Sequence, residues 1–185
     1  MATSKNNIAT HGLSGMMDLF VFRQWRGKTV VGMKPKASNS VSAAQQQVRT
    51  LFKQAATYAK AAITNATTKL FYSSIAGDEM SAYNAAFGDF FNAPEIGDID
   101  ASGYNGSIGS SILVPVTDDG QVMSVKVRIE SSNGTLVEEG AAILQADGLN
   151  WMYTTTAANG ALAGSIITVS ATDMPKHSSS KQINL

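Results

Sequence analysis

Hydrophobic and polar positions change rhythm along this chain, and each rhythm predicts a different element. Near the start the period is two. Leu19, Val21 and Arg23 would face one way and Phe20, Phe22 and Gln24 the other, as in a strand from Leu19 to Trp25. Lys28 to Met33 reads as a second extended stretch, and Pro35 keeps Lys34 extended, because its ring clashes with a helical residue before it. Gly12, Ser14, Gly15, Gly27 and Gly32 punctuate the same region. Residues 1–40 are therefore expected to form an extended arm whose large apolar side chains have no core of their own.

From Val41 the period lengthens to that of a helix. Val41, Ala44, Val48, Leu51, Phe52, Ala55, Tyr58, Ala59 and Ala62 make one stripe, with Gln46, Arg49, Lys53 and Lys60 opposite. Ser42-Ala43-Ala44-Gln45 opens it as a capping box, in which the hydroxyl takes one orphan amide and Gln45 reaches back to another. A second helix fits Asp78 to Phe91, with acids in its first turn to suit the dipole. Its stripe is Met80, Tyr83, Phe87, Phe90 and Phe91, and Asn92-Ala93-Pro94 stops it. Thr67 to Ala76, with Leu70-Phe71-Tyr72, either extends the first helix or turns. Residues 41–94 are thus read as a two-helix hairpin.

Beyond Ile96 the chain becomes strands and turns. Ser111 to Val116 precedes the turn Asp118-Asp119-Gly120, and Val122 to Glu130 alternates, Val125, Val127 and Ile129 against Lys126 and Arg128. Asn133-Gly134 is a hairpin turn. Thr135 to Glu138, Ala141 to Gln145, Leu149 to Thr155, Ser165 to Thr172 and Ser178 to Leu185 follow. The expected fold class is α+β, with a seven-stranded antiparallel sandwich over residues 95–185 burying Val125, Val127, Ile129, Trp151 and Val169.

Two resemblances attach to particular residues. Ile112-Leu113-Val114-Pro115-Val116-Thr117-Asp118-Asp119, Val122 to Ile129, Asn133-Gly134-Thr135-Leu136-Val137-Glu138-Glu139-Gly140-Ala141-Ala142, Trp151 to Thr155 and Ile167 to Pro175 together resemble the bacterial immunoglobulin-like repeats of large surface adhesins. That resemblance implies an immunoglobulin-like sandwich and no particular activity. Typical members carry Gly-Asn after the final Pro, where this chain has Lys176-His177. Trp25-Arg26-Gly27-Lys28, Pro35, Gln46-Gln47-Val48-Arg49 and Tyr83-Asn84-Ala85-Ala86 are similar to a pattern in small uncharacterised phage and bacterial proteins. This second likeness implies a phage-like or assembly context.

Charge sharpens the picture. Apolar residues make up 44% of the chain and charged ones only 15%, low for a solvated monomer, where about 25% is usual. The net charge of zero conceals a division. Residues 1–69 hold ten Lys and Arg against Asp18 alone, net +9, and residues 70–185 hold four against thirteen acids, net −9. One half can attract the other, within a molecule or between neighbours. There is no cysteine, which excludes disulfides and thiol chemistry. The run from Met16 to Phe22 is too short for a signal sequence or a membrane span. Synthesis in the cytoplasm is expected, with any exit by leaderless export or lysis.

Candidate chemistry is sparse. His11 and His177 lie in a Gly-flanked arm and a polar turn, without metal-ligand spacing. No catalytic residue and no cofactor is expected. Asp118, Asp119 and Asp173 sit at sandwich ends, where turn carboxylates either hold calcium or cap their own backbone. Glu138-Glu139 reads as a solvated edge, and Gly103, Gly106 and Gly109 as a flexible linker or a strand bulge. Phe20, Phe22, Arg23, Trp25, Arg26 and Lys28 are the interface candidates, since aromatics supply buried area and cations supply steering. These properties predict a self-assembling structural subunit, a filament, tube or virion component, with copies of itself and other particle proteins as partners. Two alternatives stand beside it, an adhesin-like decoration module and a nucleic-acid-associated packaging protein.

Overall fold

The computed structural model describes residues 2–4, 10, 12–36, 41–77 and 80–185. The chain divides into two compact units, Met1–Gln47 and Val48–Leu185.

The first unit, expected as an extended arm over residues 1–40, is instead a small antiparallel sheet, because its two hairpin turns fold the extended stretches back on one another. Its strands are β1 (Ala2–Ser4), β2 (Gly15–Met17), β3 (Phe20–Trp25) and β4 (Lys28–Met33), in the order β1-β4-β3-β2. The expected strand thus starts one residue late, because Asp18 and Leu19 make the β2–β3 turn, with Asp18 at φ 51°. Arg26 and Gly27 connect β3 to β4 at φ 49° and 69°, and Trp25 pairs with Lys28. Two left-handed residues in a two-residue loop define the turn whose twist suits a hairpin. Thr29 is the buried anchor: its hydroxyl donates to Thr10 O and accepts from the Gln24 side chain.

Helix α1 (Ala43–Thr64) begins with the expected capping box. Ser42 N donates to Gln45 Oε1 at 3.1 Å, and Gln45 N to Ser42 Oγ at 3.2 Å. The stretch after it neither extends α1 nor turns, but forms α2 (Ala66–Ala76). Asn65 accepts from Thr67 N and Thr68 N and so restarts the helix at a bend. Helix α3 (Ala82–Asp89) starts at the Ser81 cap, later than expected, and Asp78 and Glu79 lie outside the described residues. The two-helix hairpin is therefore three helices. Ala59, Ala62, Tyr72 and Ala86 form their common core, with Met174 from the sheets packed against it.

The remaining strands are β5 (Glu95–Ile96), β6 (Ser111–Thr117), β7 (Val122–Glu130), β8 (Leu136–Ala141), β9 (Ile143–Leu144), β10 (Asn150–Thr154), β11 (Ile166–Asp173) and β12 (Ser178–Asn184). They form two antiparallel sheets, β5-β6-β10-β9 and β12-β11-β7-β8. Ile112, Val114, Val116, Trp151 and Tyr153 from the first meet Val125, Val127, Ile129, Ile167, Val169 and Ala171 from the second in one core. The five residues expected inside are all inside. Two strands expected to be separate are nearly continuous. Only Ala142 parts β8 from β9, and there the chain crosses between sheets while Ala142 N donates to Val125 O. Short β5, which adds an eighth strand, neighbours β11 and β12 on the other side, where Lys181 Nζ donates to Gly97 O and Asp98. The first of these sheets is edged only by the two-residue strands β5 and β9, short edges that limit indiscriminate strand pairing, whereas β12 and β8 edge the second.

Two sequence expectations are corrected here. Glu138 is buried, not solvated: its Oε2 accepts from Tyr153 Oη, Thr156 N, Thr156 Oγ1 and Ala157 N, while Glu139 is exposed beside Arg128. The glycine-rich loop is packed. Tyr104 is buried within it, and a Cβ on Gly106 would lie 2.6 Å from Asn159 O.

Candidate assembly surface

Strand register divides the six interface candidates between the two sides of the small sheet. Phe20 pairs with Met33 and Met17, and Phe22 with Val31 and Gly15, so one side is apolar. Phe20 and Met33 are exposed there, Met33 to 73%, and Phe22 is half-buried. Arg23 and Trp25 point to the other side, where their partners are Val30 and Lys28. Alternation, which the sequence shows, thus separates three aromatics that their spacing in sequence groups together.

The second side ends in a cationic tip. Trp25 is 62% exposed, and the Arg26 guanidinium lies over its ring, 5.3 Å from the centroid. Arg26 holds a left-handed backbone in a position where Asn or Gly would be unstrained, a cost of about 1 kcal/mol or more.

The second unit carries the acids and a further apolar surface. The α1 stripe is buried only in its C-terminal half, at Ala55, Ala59 and Ala62, while Val48, Leu51 and Phe52 are exposed. Phe52 stacks edge-on against Phe87 at 4.8 Å, and both approach Phe91. At one end of the sheets, two hollows of about 380 and 260 Å³ share Thr117 and Asp118. Glu95, Asp119 and Asn92 line the larger, and Val116, Val122, Leu144, Leu149 and Trp151 the smaller.

The calcium candidates sit close to this end but serve other partners. Asp173 is buried and accepts from His177 N at 2.6 Å, with the His177 ring nitrogen 3.2 Å from its other oxygen. Asp119 accepts from the Asn92 side chain. Among the described residues, no group of three His, Cys, Asp or Glu side chains could hold a metal ion. His11 lies outside the described residues.

A buried acidic junction joins helices to sheets here, and periodicity gave no sign of it. Tyr58 and Tyr72 share a hydrogen bond of 2.6 Å, and Tyr72 donates to Asp89 Oδ2. Asp89 is 2% exposed, and its other oxygen has no hydrogen-bond partner. Burial pushes its carboxyl up, Tyr72 pulls it back, and Asp173 adds to the rise. Asp118, whose two oxygens are buried, is pushed up to about 6, by burial first and then by Asp89 and Asp173, while the backbone amides of Asp119 and Gly120 pull it back. Burial and the Asp89 hydrogen bond raise the Tyr72 phenol in turn. Gly120 belongs to this junction: a Cβ there would clash with the Asp89 carboxyl, so the Asp-Asp-Gly turn ends in glycine where α3 is seated.

Compared with protein-family models, with curated proteins and with solved structures, the chain matches none. Among the described residues, no helix is long and apolar enough to cross a membrane. The established class is therefore an α+β protein with several antiparallel sheets.

Proposed function

We propose that this chain is a structural subunit that assembles with copies of itself, and that its N-terminal sheet makes the contacts between copies. The single observation behind this reading is a sheet with large apolar or aromatic side chains exposed on both faces, Phe20 and Met33 on one and Trp25 on the other. Each aromatic buries on the order of 150–250 Å² when covered, and contiguous apolar surface left in water is an association site. Complementary charge supports the same reading, because residues 1–47 carry a net +5 and residues 48–185 a net −5. This sheet docking on a different surface of a neighbour is a heterologous contact, which gives rings or filaments. We read the two-sheet body as an immunoglobulin-like sandwich, consistent with its shared core and with the strand that switches sheets.

Sedimentation of the intact chain over a concentration series tests this. Species larger than a monomer, growing with concentration, are expected. A monomer at every concentration would refute the proposal.

One observation favours a second reading. Arg23, Trp25 and Lys28 lie on one side of the sheet, a cationic and aromatic surface of the kind that grips single-stranded nucleic acid. Nucleic acid co-purifying with the protein, lost at high salt, would favour a packaging role.

A further inference from the structure

We propose that the paired hollows beside the β6–β7 turn accept the β3–β4 tip of a second copy. Trp25 lies on their apolar floor, and Arg26 and Lys28 meet the acidic rim. This rests on the assembly reading and adds its acceptor.

The two surfaces are complementary in chemistry and in order. The floor is made by Val122, Leu144, Leu149 and Trp151, and Leu144 and Leu149 are exposed although they line a concavity. The rim beside it carries Glu95 and Asp119, both exposed. The tip offers the matching set, one large exposed aromatic with cations adjoining it. An acidic rim repels nucleic acid, and the basic face of α1, with Arg49 and Lys53, repels the tip. Among the described residues, the hollows therefore offer a surface suited to a cationic aromatic tip. The strained turn fits as well. A left-handed Arg26 folds its guanidinium back over Trp25, so ring and charge are presented together.

Charge reversal across the two surfaces is the test, read as the concentration at which half the protein is assembled. R26E/K28E and E95K/D119K should each raise it on the order of tenfold, the effect of about 1.4 kcal/mol. Mixing the two variants should restore assembly, because each then meets its complement. L144E should weaken assembly with no change of charge on the tip. R26N keeps the turn in an unstrained form, so it should unfold at higher denaturant yet assemble less. Thermal unfolding of each variant separates misfolding from lost contact. If the acceptor variants assemble like the parent while the tip variants fail, the tip docks elsewhere: this inference falls and the assembly reading stands. If tip variants also assemble normally, or the mixture does not recover, the inference falls. An intact chain that never assembles refutes the assembly reading itself.

Discussion

Replacing Asp118 by Asn should make the protein more stable at pH 8 and leave it unchanged near pH 4. Asp118 faces Asp89 from α3 and Asp173 from the end of β11, with His177 bonded to Asp173 and Tyr58 and Tyr72 completing the junction from α1 and α2. Its carboxyl moves from an ordinary 3.8 to about 6 on folding. The folded state therefore binds the proton more tightly than the unfolded state, and stability falls as pH rises between those values. Below about 4 the group is protonated in both states and contributes no repulsion. Above about 6 it is ionised in both, and the folded junction carries the penalty in full. The difference corresponds to about 3 kcal/mol, and screening near the surface reduces that to about 1–2 kcal/mol. Urea unfolding followed by tryptophan fluorescence, at one fixed protein concentration, measures it. With a slope of about 2 kcal/mol per molar, the Asn variant's midpoint should rise by about 0.5–1 M at pH 8. A variant that is less stable at pH 8, or shifted equally at pH 4 and pH 8, would refute the reasoning.

Other substitutions probe the same frame. Glu138→Ala strands the Tyr153 hydroxyl and the amides of Thr156 and Ala157, and should cost about 3 kcal/mol, read as a lower denaturant midpoint. Gly120→Ala forces a Cβ against the Asp89 carboxyl and should cost about 2 kcal/mol, with faster amide exchange in α3. Lys176 holds φ 75° after Pro175, so Lys176→Gly should stabilise by about 0.5–1 kcal/mol in thermal unfolding, relief of strain exceeding the entropy glycine adds to the unfolded chain.

The strands were legible because their inward positions alternate without interruption. Val125, Val127 and Ile129 alone fix which side of β7 is buried. The start of α1 was legible because a capping box is a local device, complete within four residues. What could not be read depends on residues whose type gives no signal of its role, or on contacts distant in sequence. Asn65 looks like any polar residue in a helical stretch until its side chain caps α2. Glu138 looks solvated because the donors that bury it come from residues 153–157. Asp89 belongs to a junction assembled from three helices and two turns, and neither its own position nor its neighbours announce it. The interface candidates were found by residue type, and strand alternation already put Phe22 and Trp25 on opposite sides; what alternation could not show is which β4 residues they meet, Val31 and Lys28.

Sedimentation of the intact chain beside a chain lacking residues 1–36, at low and high salt, bears most directly on assembly through the N-terminal sheet. The shortened chain should keep the circular dichroism of the three helices and two larger sheets, losing only the small sheet's strand signal, and sediment as a monomer, because the core built on Val125, Ile129 and Trp151 lies wholly in the second unit. The intact chain should form larger species, more slowly at high salt, since charge steers encounter while apolar area holds the contact. A folded, shortened chain that assembles as the intact one does would contradict assembly through this sheet.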